Sequence, residues 1–114
     1  MYHWFKIYDS LESLKNNIAI GKTAVFNFKG EKICIAHTTE GVFAVQDKCP
    51  HNGASLGSGF CTEANEIVCP IHRYKFNLKS GKATAGSGYA LSTYPIEEKV
   101  GGVFVGIKAK WWEL

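Results

Sequence analysis

Two short segments, Cys49-Pro50-His51 and Cys69-Pro70-Ile71-His72, constrain this chain more than anything else in it, because each sets a thiolate and an imidazole beside a proline. Proline holds φ and stiffens the turn, and both donors suit a transition metal. The spacer Asn52–Val68 separates the segments, so a shared site requires a fold that brings distant loops together. Gly53, Gly57 and Gly59 follow the first pair, where backbone is expected to turn with positive φ or press close to a bound group. Such a loop aims amide N–H groups at an anionic centre. Two cysteines and two histidines suit a closed zinc site. Zinc ribbons and fingers, however, pair like with like in each knuckle, whereas each loop here mixes the two. Mixed loops fit two adjacent metals. If each loop sends its thiolate to one iron and its imidazole to the other, a [2Fe–2S] core results, with cysteines on one iron and histidines on its neighbour. The spacing favours this reading over the zinc alternative.

Here the chain resembles the Rieske iron–sulfur family. Cys49-Pro-His51-Asn-Gly-Ala-Ser-Leu56 is similar to its first cluster loop and Cys69-Pro-Ile-His72-Arg-Tyr-Lys-Phe76 to its second. The likeness continues through Asn77–Ala83 and the return strand Leu91–Ile96, and covers about Phe43 to Ile107. It implies an all-β fold, a Rieske-like antiparallel β-sandwich with a small inserted cluster-binding subdomain. It also implies Cys49, His51, Cys69 and His72 as ligands of one Rieske-type [2Fe–2S] cluster.

A length of 114 residues fits one domain, with a base from about 1–46 and 77–114 and a cluster-binding part at about 47–76. The hydrophobic fraction of 46% suffices for a core that does not depend on a metal for all its stability. No apolar run is long enough for a membrane span, and the start lacks the layout of a signal peptide, so the expected location is cytoplasmic, away from membranes. Membrane-bound Rieske subunits carry an N-terminal anchor helix, and the resemblance therefore points to the soluble branch. The net charge of +3 is scattered, with no nucleic-acid recognition motif, although Lys48, Arg73, Lys75, Lys79 and Lys82 flank the cluster loops and Asp47, Glu63 and Glu66 partly offset them.

Tyr2–Ile7 reads as a first strand, and Asp9-Ser10-Leu11-Glu12 as one helical turn capped by Asp9. Strands are expected at Thr23–Phe28, Lys32–His37, Val42–Gln46, Glu66–Val68, Tyr74–Leu78 and Leu91–Lys99, and Gly101-Gly102 should turn tightly into Val103–Ile107. Cys34, within Ile33-Cys34-Ile35-Ala36, reads as a buried inert thiol, and Cys61 lies in the spacer. His3 and His37 stand outside ligand spacing and read as strand or surface residues; Trp111-Trp112 reads as packing. Gly86-Ser87-Gly88 stands where many relatives carry a proline-bearing loop over the cluster.

The resemblance implies an electron carrier rather than an enzyme, since no sequence remains for a substrate domain. The implied partners are a flavoprotein reductase as donor and a terminal oxygenase as acceptor. An accessory Rieske-like subunit of a larger reductase, such as nitrite reductase, is the alternative. High-potential relatives carry a loop-bridging disulfide and Ser and Tyr hydroxyls. Here Ala54 and Ile71 replace the cysteines, and Tyr74 and Phe76 the donors, which implies a low potential.

Overall fold

An uninterrupted apolar run in a strand means that both faces of the strand are covered, and Ile33-Cys34-Ile35-Ala36 is such a run. The computed structural model describes residues 2–50, 53–71, 73–84 and 88–108. In chain order the elements are β1 (Tyr2–Tyr8), α1 (Leu11–Asn17), β2 (Thr23–Phe28), β3 (Glu31–Thr38), β4 (Gly41–Gln46), a 3-10 turn at Leu56–Ser58, β5 (Phe60–Cys61), β6 (Glu66–Val68), β7 (Lys75–Asn77), β8 (Thr93–Tyr94), β9 (Ile96–Lys99) and β10 (Gly102–Lys108). They form three antiparallel sheets in the orders β1-β10-β9, β2-β3-β4-β8 and β5-β6-β7. The fold is all-β with one short helix.

β3 is the middle of this stack. Ile33 and Ile35 point into a core shared with Leu14, Ile18, Val103 and Val105, whereas Cys34 and Ala36 point into a second core with Ile67, Phe76, Cys49 and Cys69. The period-2 alternation of side chains makes this division automatic. The first core joins β1, β10 and α1 to the central sheet; the second joins the loops and β5-β6-β7 to its other face. Tight turns set the register. Lys29 and Gly30 both take positive φ, 51° and 86°, as a two-residue hairpin requires, and the Asn27 side chain accepts the Gly30 N–H at 3.0 Å.

Three expectations need correction. The helix spans two turns, and its cap is Ser10, whose Oγ accepts the Ser13 N–H at 3.0 Å, while Asp9 forms an ion pair with Lys6 at 2.8 Å. Its length comes from packing, because fully buried Leu14 and Ile18 anchor it on the first core. The expected strand Leu91–Lys99 is two strands: β8 pairs with β4, and after Pro95, which has no N–H to give to a ladder, β9 pairs with β10. Pro95 thus marks the corner between sheets. The last hairpin turns at Val100-Gly101, with Gly102 already paired to Lys99.

Ser10→Ala should lower stability by about 1 kcal/mol, and Asp9→Ala by well under that, since an exposed ion pair contributes little. Urea unfolding of the two variants measures the difference. Leu14→Ala should cost about 2–5 kcal/mol in the same assay.

Candidate metal centre

The two cysteine segments are closed by the same backbone bond. In each loop the cysteine N–H donates to the carbonyl five residues on (49 to 54, 69 to 74), at 2.8 Å from Cys49 to Ala54 and 2.8 Å from Cys69 to Tyr74. Lys48 bridges to Ser55, and Val68 pairs with Lys75, so each turn closes a small hairpin. Each also turns through a left-handed residue just before its closing carbonyl, Gly53 at φ 79° and Arg73 at φ 55°. That is the geometry of a short hairpin loop with an αL residue near its end. Proline follows the cysteine in both, where it fixes φ and an N–H is not needed for closure.

The turns hold Cys49 and Cys69 at 1% and 0% exposure within one buried cluster that also contains Leu56, Ile67, Phe76 and Leu78. Close backbone packing locks the first loop beside the second. A Cβ on Gly59 would collide with the Val68 carbonyl, immediately before Cys69, and one on Gly57 would collide with the Val25 side chain and stand 3.0 Å from Asp47 Oδ1. Gly53 meets the expectation of positive φ; Gly57 and Gly59 are instead small because other parts of the protein press against them.

Asp47 organises the first loop, a role that sequence reasoning missed. Its buried carboxylate accepts the Gly57 N–H at 2.8 Å, its carbonyl accepts the Leu56 N–H at 2.7 Å, and its own N–H donates to Lys32 at 3.0 Å. Only an acidic residue ten positions before a glycine marked it, and that is no pattern. Asn65 does similar work for the sheet below the second loop: its carbonyl accepts the Leu78 N–H at 3.0 Å and its side chain accepts the Thr38 hydroxyl at 2.7 Å.

His51 and His72 lie outside the described residues, as do Trp111, Trp112 and the 86–87 part of the Gly86–Gly88 segment. His37 lies buried in β3 with Nδ1 against the Ile18 carbonyl, and His3 lies in β1. Cys34 and Cys61 are free thiols near the site. Burial pushes Cys34 up to about 12, with the Asp47 and Cys61 charges adding to it and the Thr23 hydroxyl opposing, and burial raises Cys61 to about 11.

Residues 4–95 match the model of the Rieske [2Fe–2S] domain. The chain belongs to the Rieske [2Fe–2S] domain family. A 3-phenylpropionate/cinnamic acid dioxygenase ferredoxin subunit of Shigella flexneri serotype 5b is 33% identical over 85 residues, which cover 74% of this chain and 71% of that protein. A chain in the complex of reduced oxygenase and oxidized ferredoxin of carbazole 1,9a-dioxygenase superposes with a TM-score of 0.76 at 25% identity, covering 90% of this chain and 91% of its own. A putative NADH-dependent nitrite reductase small subunit from Mycobacterium tuberculosis shares the fold, with a TM-score of 0.81 at 18% identity over 96% of this chain and 99% of its own. The cofactor of this Rieske domain is a [2Fe–2S] cluster. Two buried thiols, each at the head of a matched hairpin and sharing one core, fit the cysteine half of such a donor set. Among the described residues no helix is long and apolar enough to cross a membrane.

Gly59→Ala should destabilise the fold by about 1–3 kcal/mol, because the added methyl meets backbone; thermal melting measures it. The raised thiol pKa values predict a second effect. Ionising Cys34 is opposed in the folded state, so its contribution to stability is full below about pH 9 and is lost as pH climbs towards about 12. Urea midpoints should therefore fall across that window, and Cys34→Ala should shrink the fall.

Proposed function

We propose that this chain is a one-electron carrier that takes an electron from a flavoprotein reductase and delivers it to a terminal oxygenase, without catalysing a reaction of its own. The matched hairpins headed by Cys49 and Cys69 carry this reading. Cys49 and Cys69 would hold one iron through their thiolates, and His51 and His72 the other through a ring nitrogen. When bound, the cluster supplies reversible one-electron chemistry. The protein's part is to hold the thiolates rigidly, shield them from water within the second core and leave one end accessible: Pro70 and Ile71 are exposed while Cys69 is not. A division into a cluster-binding part at 47–76 and a base from 1–46 and 77–114 is supported by the pairing of β1 with β10. The partner class is supported by the named relatives, a dioxygenase ferredoxin subunit and a ferredoxin in complex with an oxygenase. We place the protein in the cytoplasm, consistent with thiols at Cys34 and Cys61. The nitrite reductase likeness concerns the fold alone and supports no second reading.

Iron and acid-labile sulfide should be present in equal amounts, and Cys49→Ser or Cys69→Ser should abolish both. Zinc without sulfide would overturn the proposal. Phe76, buried in the cysteine core, has no hydroxyl to stabilise a reduced cluster, and Ala54 and Ile71 cannot form a loop-bridging disulfide. The midpoint potential should therefore fall in the lowest third of the Rieske span of roughly −150 to +300 mV. Protein-film voltammetry at neutral pH reads it directly.

A further inference from the structure

The end of the molecule that bears the two hairpins is basic around an apolar centre, and we propose that it docks on an acidic face of a redox-partner protein, oriented by Lys48 and Arg73. This rests on the electron-carrier reading above. Between Asp47 and Glu63 the chain has Lys48 and no acidic residue; between Glu66 and Glu97 it has Arg73, Lys75, Lys79 and Lys82 and again none. The acidic groups that bound these stretches are occupied or set apart. Asp47 is 4% exposed with its carboxylate on Gly57, and Glu66 accepts the Thr62 hydroxyl at 3.1 Å in the hairpin behind the second loop. All five cations are exposed, and among the described residues none is in an ion pair; Lys48, Arg73 and Lys75 stand at the hairpins, whereas Lys79 and Lys82 follow the far end of β7 and stand apart from them.

Two of the cations belong to the loops themselves. A Cβ on Gly53 would stand 3.4 Å from Lys48 Cε, so the Lys48 stem lies along the first turn. Arg73 occupies the left-handed position of the second turn, φ 55°, where the first turn uses glycine. A side chain there costs about 1–2 kcal/mol relative to ordinary backbone. What Arg73 adds in return is a charge beside the exposed Ile71, which is 46% accessible, and Pro70. An apolar centre with a charged rim is the anatomy of a transient protein interface. A single-sign rim speeds encounter with a face of opposite sign.

The test uses small oxidants as charge probes. Dithionite-reduced holoprotein gives one electron to ferricyanide, an anion, or to tris(phenanthroline)cobalt(III), a cation, and the rate is followed by the visible absorbance of the cluster. Raising salt from about 0.01 M to about 0.1 M shortens the Debye length from about 30 Å to about 10 Å. The ferricyanide rate should fall by roughly tenfold and the cobalt rate should rise. Lys48→Gln/Arg73→Gln should flatten both slopes. Lys15→Gln/Lys108→Gln removes the same charge from α1 and β10, which belong with the other core, and should leave them steep. Poly-L-glutamate, standing in for an acidic protein face, should slow ferricyanide oxidation of the unaltered protein and not of the Lys48/Arg73 variant. Equal slopes in both double variants overturn the proposal. So does saturable binding of a short DNA duplex at about 0.15 M salt, which would assign the cations to nucleic acid. A colourless, iron-free protein would refute the carrier reading and this one with it, whereas a coloured, reducible protein whose oxidation ignores salt refutes the docking alone.

Discussion

The amide of Cys49 on the carbonyl of Ala54, and the amide of Cys69 on that of Tyr74, are the bonds on which the rest of the site depends. Each closes a hairpin turn with its cysteine at the first position, so the Cα–Cβ direction of the cysteine is fixed by backbone. Two loops closed alike and brought together place two thiols in a shared core. Nothing about the turn requires glycine at its left-handed position; the first uses Gly53, and the second tolerates Arg73.

Bringing the turns together is the work of the second core. β3 faces both cores, so Cys34 and Ala36 on one side and Ile33 and Ile35 on the other tie the hairpins to the sheet that joins the chain's ends. Gly59 against Val68 draws the first loop onto the strand that leads into Cys69, and Asp47 holds the start of that loop by accepting two backbone amides. A buried carboxylate without a donor would be costly; with the Gly57 N–H on it, the Asp47 side chain acts as a rigid brace, and the Asp47 backbone carbonyl takes the Leu56 N–H.

The division into two cores also separates tasks. Helix α1 and strands β1, β9 and β10 pack the face remote from the hairpins, where aromatic pairs such as Phe5 with Phe28 add to the burial. Substitutions there bear on stability, while those around Cys49 and Cys69 bear also on the proposed cluster site. Cys34 lies in the core that holds Cys49 and Cys69, Cys61 packs against that core, and burial raises the pKa of both thiols because it disfavours the thiolate.

Much of this was legible in the chain itself. The paired Cys-Pro segments pointed to the metal and the cluster type, and the family resemblance they carried extended to an all-β sandwich. The alternating and unbroken apolar runs placed most strands within a residue or two, because side-chain period and turn residues act locally. What the sequence left open depended on contacts between distant residues. Ser10 rather than Asp9 caps the helix because the helix begins at Leu11, which puts the Ser10 hydroxyl at the Ser13 N–H; the helix runs two turns because Leu14 and Ile18 find a core; the chain changes sheets at Pro95 because partners lie on either side of it. The roles of Asp47 and of a left-handed Arg73 have no local signature either. By itself the sequence determined which donors exist and which turns can carry them, since those follow from residue chemistry; that the two loops close alike and bury their cysteines in one core was decided by tertiary structure, because only long-range packing sets one loop against another.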